Sequence, residues 1–122
     1  MTQRLKLTVR VMVDDTIALG PGKISLLESI ANNGSISAAA RTMGMSYARA
    51  WRLVDDMNRC FASPLVLTAS GGRHGGGAQV TAEGEAVLRI FRDMEREARA
   101  ATQAGYESIR PMLREALDKN LA

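Results

Sequence analysis

The sequence predicts a mainly α-helical fold with a small β component: a winged helix-turn-helix followed by a long C-terminal helix. Three observations predict it. A serine-capped helical stretch ends at Gly44 and is followed at once by a second amphipathic stretch, two β-branched runs flank a glycine-rich segment behind it, and apolar residues then recur at three and four after Thr81. The chain has 122 residues, a usual size for one domain, and its 46% apolar and 24% charged content excludes wholesale disorder. The five aromatic side chains are Tyr47, Trp51, Phe61, Phe91 and Tyr106, so the predicted core is aliphatic.

Residues Leu5 to Val13 alternate apolar and polar, which predicts a half-buried strand, and Asp14, Asp15 and Gly20-Pro21-Gly22 predict a loop. From Lys23 the period becomes helical: Ile24, Leu27, Ile30 and Ala31 share a face, and Asn33-Gly34 is a stop. A short helix follows, with Ser35 or Ser37 as its N-cap and Gly44 as its terminator. Ser46 caps a third helix to about Phe61, on which Ala50, Val54, Met57 and Phe61 form an apolar seam. Leu65–Thr68 and Ala78–Thr81 read as a hairpin whose long tip, 70–77, is glycine-rich and basic. Thr81 caps the last long helix, with Gly105-Tyr106 as an expected interruption and Pro111 to Leu121 as one more short helix. The domain reading is 1–81 for the winged helix-turn-helix and 82–122 for a helix and tail that dimerise.

A single cysteine, Cys60, allows no intrachain disulfide and no thiolate cluster, and reads as a small buried hydrophobe. The lone His74 has no evident triad or zinc partners, so neither an enzyme nor a metal or other cofactor is expected. Without the apolar core of a signal peptide or a run of transmembrane length, the expectation is a soluble, cytoplasmic protein with no membrane partner. Charge is uneven: the net value is +3, and residues 35–81 carry five basic and two acidic groups.

That middle third is where a DNA-facing surface is expected. On a helical wheel Ala48, Arg52, Asp55 and Arg59 lie opposite the seam, with Arg49 and Trp51 on the flanks. Arg49 and Arg52 can offer paired donors to guanine edges, and Ala48 is small enough for close approach or a thymine methyl. Ser35, Ser37 and Arg41 are placed to hold phosphate, and Arg73 and His74 at the tip to reach backbone or minor groove. The bland alternatives are a solvated helix face interleaved with Asp55 and Asp56, and a plain flexible connector at 70–77. Trp51 reads as a core or boundary residue, Tyr47 as turned partly toward the seam, and Met43, Met45, Met57 and Met94 as core. Val87, Ile90, Met94, Ala98 and Ala101, widened by Leu88 and Phe91, have the spacing of a partner-facing seam.

The run Gly34-Ser35-Ile36-Ser37-Ala38-Ala39-Ala40, then Ser46-Tyr47 with Ala50-Trp51 and Met57-Asn58, then the glycines from Gly71 to Gly77 and Thr81, resembles the N-terminal DNA-binding domain of ModE-type molybdate-responsive regulators. That domain is itself similar to the head of LysR-type regulators, and the resemblance covers roughly residues 3 to 104. It implies a homodimer joined through the helix after the wing, bound to double-stranded DNA at a palindromic operator. By the same analogy Ser35, Ser37, Ser46, Tyr47, Arg49 and Arg52 face DNA, and the wing carries Arg73. Full-length members continue into oxyanion-binding domains for which the residues after the long helix leave no room, so molybdate binding by this chain is not expected. A naturally short regulator, which Met1 and the modest tail favour, sensing through a partner, and a piece of a longer protein all stay open. The rival of another class is a winged-helix protein-interaction module without specific DNA binding.

Overall fold

The computed structural model describes residues 2–69 and 77–117. Strands β1 (Val11–Val13) and β2 (Thr16–Leu19) form an antiparallel hairpin ahead of helices α1 (Pro21–Asn33), α2 (Ile36–Met43) and α3 (Tyr47–Cys60). A second antiparallel pair, β3 (Val66–Thr68) and β4 (Ala78–Val80), follows, and then helix α4 (Ala82–Ile109) ending in a 3-10 turn at Arg110–Met112. This is the predicted winged helix-turn-helix with a long C-terminal helix.

Local chemistry sets most boundaries. Pro21 opens α1, two residues earlier than the periodicity indicated, because proline's fixed φ suits the first helical turn. Gly34 and Gly44 end α1 and α2 in the left-handed region, φ 74 and 68, where a side chain would be strained. Ser35, and not Ser37, caps α2: its Oγ accepts from the Ala38 amide at 3.0 Å. The Oγ of Ser46 accepts from the Arg49 amide at 3.1 Å, and that of Thr81 from Gly84 at 3.0 Å.

Three expectations change. The alternation of Leu5 to Val13 is real in burial, with Leu5, Leu7 and Val9 half-buried and Lys6, Thr8 and Arg10 exposed, but only Val11–Val13 pairs as strand. Its partner, Thr16–Leu19, is a segment expected as loop, joined through the two-residue turn Asp14-Asp15. Periodicity orients side chains; ladder hydrogen bonds need a second strand. Residues on either side of Gly105 stay helical, because the site is open around that glycine and Gln103 and Glu107 bridge the turn at 2.7 Å. Of the short helix expected from Pro111 to Leu121, the described part holds only the end of the 3-10 turn, with residues 113–117 not helical, and residues 118–121 lie outside the described residues.

Ile24, Leu26, Leu27 and Ile30 of α1, Ala39 and Ala40 of α2, and Ala50, Val54 and Met57 of α3 form the core with Leu65, Val66, Val80 and Phe91. The wing is fastened to α3 by Asn58, whose Oδ1 accepts from the amides of Leu65 at 2.9 Å and Val66 at 3.2 Å. Its Nδ2 donates to the Val66 carbonyl at 3.0 Å. On the other side of that strand, the Leu65 carbonyl accepts from the Thr81 amide at 2.9 Å and hydroxyl at 3.2 Å. Here α4 lies flush on the strand: a Cβ on Gly84 would sit 2.4 Å from the Leu65 oxygen and 2.6 Å from Val80 Cγ1.

Two outcomes are expected in denaturant melts. Gly84→Ala should destabilise by about 1–3 kcal/mol, since the clash with a hydrogen-bonded carbonyl outweighs the gain of about 1 kcal/mol in helix propensity. Asn58→Ala should cost roughly 2–3 kcal/mol by leaving two buried amides without an acceptor; an unchanged midpoint for either variant would refute the corresponding joint.

Candidate nucleic-acid interface

The α2–turn–α3 unit is held by the caps at Ser35 and Ser46 and the left-handed turn at Gly44. Both cap oxygens already accept one amide, which leaves their hydroxyl protons as donors. Ser35 is half-buried, while Ser37 and Arg41 are exposed on α2. On α3, Ala50, Val54 and Met57 are fully buried, so the opposite side is turned outward, and Ser46, Tyr47, Ala48, Arg49 and Arg52 are all exposed. The structure thus brings together Ser35, Ser37, Arg41, Ser46, Tyr47, Ala48, Arg49 and Arg52 on and around one two-helix surface. Arg73 and His74 lie outside the described residues.

The acidic residues of α3 divide its cations. Arg59 is held by Asp55 at 3.2 Å and Asp56 at 2.5 Å, and the hydrogen bond to Asp56, reinforced by both carboxylate charges, raises its pKa further above its ordinary value. Asp56 also lies 3.6 Å from Lys23 Nζ, a buried lysine of α1 that donates to the Ile17 carbonyl. No carboxylate lies within 4 Å of Arg41, Arg49 or Arg52 among the described residues. These three guanidiniums therefore stand available to an outside anion or base edge, whereas Arg59 is engaged within its own helix.

Tyr47 and Trp51 stand one turn apart. Their rings meet edge to face with centroids 6.5 Å apart, and the indole N–H donates to the tyrosine hydroxyl. Tyr47 is 50% exposed, so it is not turned into the seam, and Trp51 at 36% is a boundary residue. Met57 is core and Met43 and Met45 pack against it, but Met94 is exposed. Cys60 is half-buried at the last turn of α3.

On α4, Ile90 and Met94 are exposed at 54% and 38%, Ala101 is exposed, and Val87 and Ala98 are half-buried. Phe91 is different: at 1% exposure it fills the core of its own chain, so it cannot belong to a partner-facing seam as the spacing suggested. One residue of offset rotates a side chain about 100° on a helix, which is enough to move it from an outer stripe to the core. Arg92 fixes that rotation by bridging Glu28 of α1 at 3.0 Å and Glu95 at 2.9 Å. Burial works to lower its pKa, and the hydrogen bonds to Glu95 and Glu28 outweigh it and raise the value.

Asn58, Lys23 and Arg10 are the positions that a helical wheel misses as site-builders. Asn58 seats the wing beside α3, Lys23 takes up Asp56, and Arg10 reaches the flank of α3 from the first hairpin. Lys23 and Arg10 meet α3 from elements far earlier in the chain, and Asn58 acts on the strand that follows its own helix. Among the described residues, no helix is long and apolar enough to cross a membrane, and no three His, Cys, Asp or Glu side chains come together as a metal site.

Comparison with known proteins agrees with this geometry. The chain is 42% identical over 84 residues to the molybdenum transport protein ModE of Azotobacter vinelandii, covering 69% of this chain and 31% of that one. It is 48% identical over 73 residues to the molybdenum-pterin-binding protein MopA of Rhodobacter capsulatus, 60% of this chain and 28% of that one. With the DNA-binding transcriptional dual regulator ModE of Escherichia coli K12 the identity is 39% over 87 residues, 71% of this chain and 31% of the relative. The chain therefore spans about a third or less of the length of these curated relatives, and the resemblance to ModE heads drawn from the serine, Tyr-x-x-x-Trp and glycine motifs is borne out. Full-length LysG of Corynebacterium glutamicum, a LysR-type regulator, shares the fold at a TM-score of 0.53 and 22% identity, over 76% of this chain and 30% of that one. The pattern of bacterial regulatory helix-turn-helix proteins of the lysR family matches residues 22–85, just over half of the chain, which runs from the start of α1 through the wing into α4. The chain thus belongs to the LysR family of bacterial DNA-binding transcriptional regulators, which are not enzymes.

Proposed function

We propose that the chain binds double-stranded DNA as a homodimer at a palindromic operator, with α3 in the major groove. The observation that carries this is the outer face of α3, where Arg49 and Arg52 are exposed and unengaged beside small Ala48 while the opposite face is sealed in the core. A guanidinium can donate two parallel hydrogen bonds to guanine O6 and N7, and a methyl side chain permits the close approach that this needs. Ser35, Ser37, Arg41, Ser46 and Tyr47 hold backbone phosphates and set the register of α3. Arg73 and His74 extend the grip from the wing tip.

In this reading residues 1–81 are the DNA-binding unit and 82–122 the helix and tail that pair with a second copy through Val87, Ile90, Met94, Ala98 and Ala101. Dimer pairing would place two α3 helices about one DNA turn, roughly 34–36 Å, apart, which is what a palindrome requires. Action on an operator places the protein with the chromosome in the cytoplasm. The molybdenum in the relatives' names belongs to those proteins, and no molybdate site is assigned to these residues.

Selection from random duplexes should enrich one palindrome, with affinity falling steeply as salt rises because phosphate contacts release counterions. No enrichment, together with partner binding that hardly responds to salt, would replace this reading by a protein-interaction module. Arg52→Ala should cost about 1–3 kcal/mol of binding and relax a single position of the selected site. Light scattering should give twice the chain mass, and Ile90→Glu combined with Met94→Glu should reduce it to the monomer and abolish preference for the two-half-site duplex; a monomeric parent protein would remove the dimer from the reading.

A further inference from the structure

We propose that the cleft between the β1–β2 hairpin and α3 is a phosphodiester-binding site, in which Arg10 and Arg49 grip the DNA backbone on the side of α3 away from the wing; Arg49, paired with Arg52 as a base reader above, is thereby reassigned to the backbone, and Arg52 remains the base reader. This rests on the DNA-binding reading above and extends it to an element outside the family match, since β1 and β2 end at Leu19 and the match begins at residue 22.

The three stripes of α3 lead to it. With Ala50 in the core and about 100° per residue, Asn58 lies near 80° to one side, and it is Asn58 that ties down the wing strand. Arg49, Leu53 and Asp56 lie roughly 60–120° to the other side, and these three line the cleft beside the hairpin. Ala48 and Arg52 project between the two flanks. A helix seated in a major groove has a phosphate strand along each border, so each flank meets a backbone. On the wing flank the glycine-rich loop is the expected contact; on the other flank the element present is the hairpin.

The cleft, about 500 Å³ in volume, is lined by Arg10, Asp15, Lys23, Arg49, Leu53 and Asp56 with Thr16, Ile17 and the Gly20-Pro21-Gly22 run. Its charges sort by partner. Lys23 and Asp56 face each other at 3.6 Å, Lys23 also donates to the Ile17 carbonyl, and Asp56 also holds Arg59, so these groups are satisfied within the protein. What remains among the described residues is two guanidiniums, Arg10 and Arg49, against the single carboxylate of Asp15 in the hairpin turn. The stem of Arg10 is laid across Gly20, with its Cγ 3.4 Å and its Nε 3.8 Å from where a Cβ would stand there. That packing directs the Arg10 head to the same cleft as Arg49. Two guanidiniums lining one cleft beside the outward face of α3 suit a singly charged, four-oxygen phosphodiester, which can accept from both. Lining by Asp15 selects against a more deeply seated or more highly charged anion, and places the backbone at the rim.

The test titrates the full chain with two duplexes of unrelated sequence between about 50 and 200 mM salt, following anisotropy. Arg10→Ala should weaken both duplexes by the same factor, roughly three- to tenfold, and reduce the salt slope by about 0.9 per bound protomer. Asp15→Asn should tighten both. Arg114→Ala, the same change of net charge near the chain's C-terminal end, should leave slope and affinity nearly unchanged. Arg10 is exposed, so circular dichroism and melting of the variant should match the parent. If the parent binds DNA and Arg10→Ala behaves like Arg114→Ala, the cleft is not a DNA contact, and the DNA-binding reading stands. A loss confined to one duplex makes Arg10 a base reader and overturns the phosphodiester assignment. A parent chain with no salt-dependent DNA binding overturns both.

Discussion

The peptide groups of Leu65 join three elements that must hold fixed positions if α3 is to meet a ligand at a defined angle. The Leu65 amide is held by Asn58 of α3, and its carbonyl receives both donors of Thr81 at the start of α4. Gly84 lets the first turn of α4 close onto the same carbonyl. Leu65 and Val66 are buried, so each of these polar groups would be costly without its partner. Wing, α3 and α4 are therefore tied together at Leu65, and a displacement of any one disturbs the other two. A further bond runs from the Ala78 amide to the Gly34 carbonyl at 3.0 Å, which fastens the second wing strand to the end of α1.

Electrostatics on α3 follow from that fixed frame. A helix with both arginines and aspartates on its exposed sides could neutralise itself and offer nothing. Here both aspartates stand three and four residues after Arg52, about one turn on, and they turn to Arg59 and Lys23, leaving the N-terminal arginines unpaired among the described residues. The N-terminal half of the helix stays cationic and the C-terminal half is balanced. In the DNA-binding reading proposed above, a recognition helix meets base edges chiefly through its N-terminal residues, which is the half of α3 left cationic. Burial of Lys23 fits the same scheme: its charge is tolerated because Asp56 and the Ile17 carbonyl receive it.

Much of this was legible in the sequence where the cause is local. The caps at Ser35, Ser46 and Thr81, the stops at Gly34 and Gly44, and the seam Ala50, Val54 and Met57 are set by hydrogen bonds and spacings within a few residues. Exposure of Arg49 and Arg52 followed from the same wheel. What was missed depends on partners in another strand or helix, which no periodicity within one segment reveals. The turn Asp14-Asp15 between Val13 and Thr16 has the two-residue length of a tight hairpin loop, but the glycine and proline just beyond drew the whole stretch into a loop. Asn58 looks like one more polar residue on a polar helix until the wing strand is laid beside it. Phe91 satisfies the seam spacing and the core equally well, and only the seating of α4 on α1, through Arg92 and Glu28, decides between them.

That seating has a consequence for how one helix can serve two purposes. α4 runs for 28 residues, about 42 Å, yet its buried contacts with its own chain are concentrated in the first three turns around Gly84 and Phe91. Ile90 and Met94 lie on a neighbouring stripe of the same turns, exposed while Phe91 is sealed. A side chain in the core and one outside it, a single position apart, leave the helix no freedom to roll about its axis: any roll that buried Ile90 would expose Phe91, at a cost of about 1.5–3 kcal/mol for a large apolar side chain. The outer stripe therefore points in a direction set by the core. A second copy docking on that stripe would inherit the direction, and through the Leu65 joint so would the angle between two recognition helices. The rigidity that fixes half-site spacing in such an assembly comes from the core packing of each chain, with the contact between chains needing only to be specific in rotation.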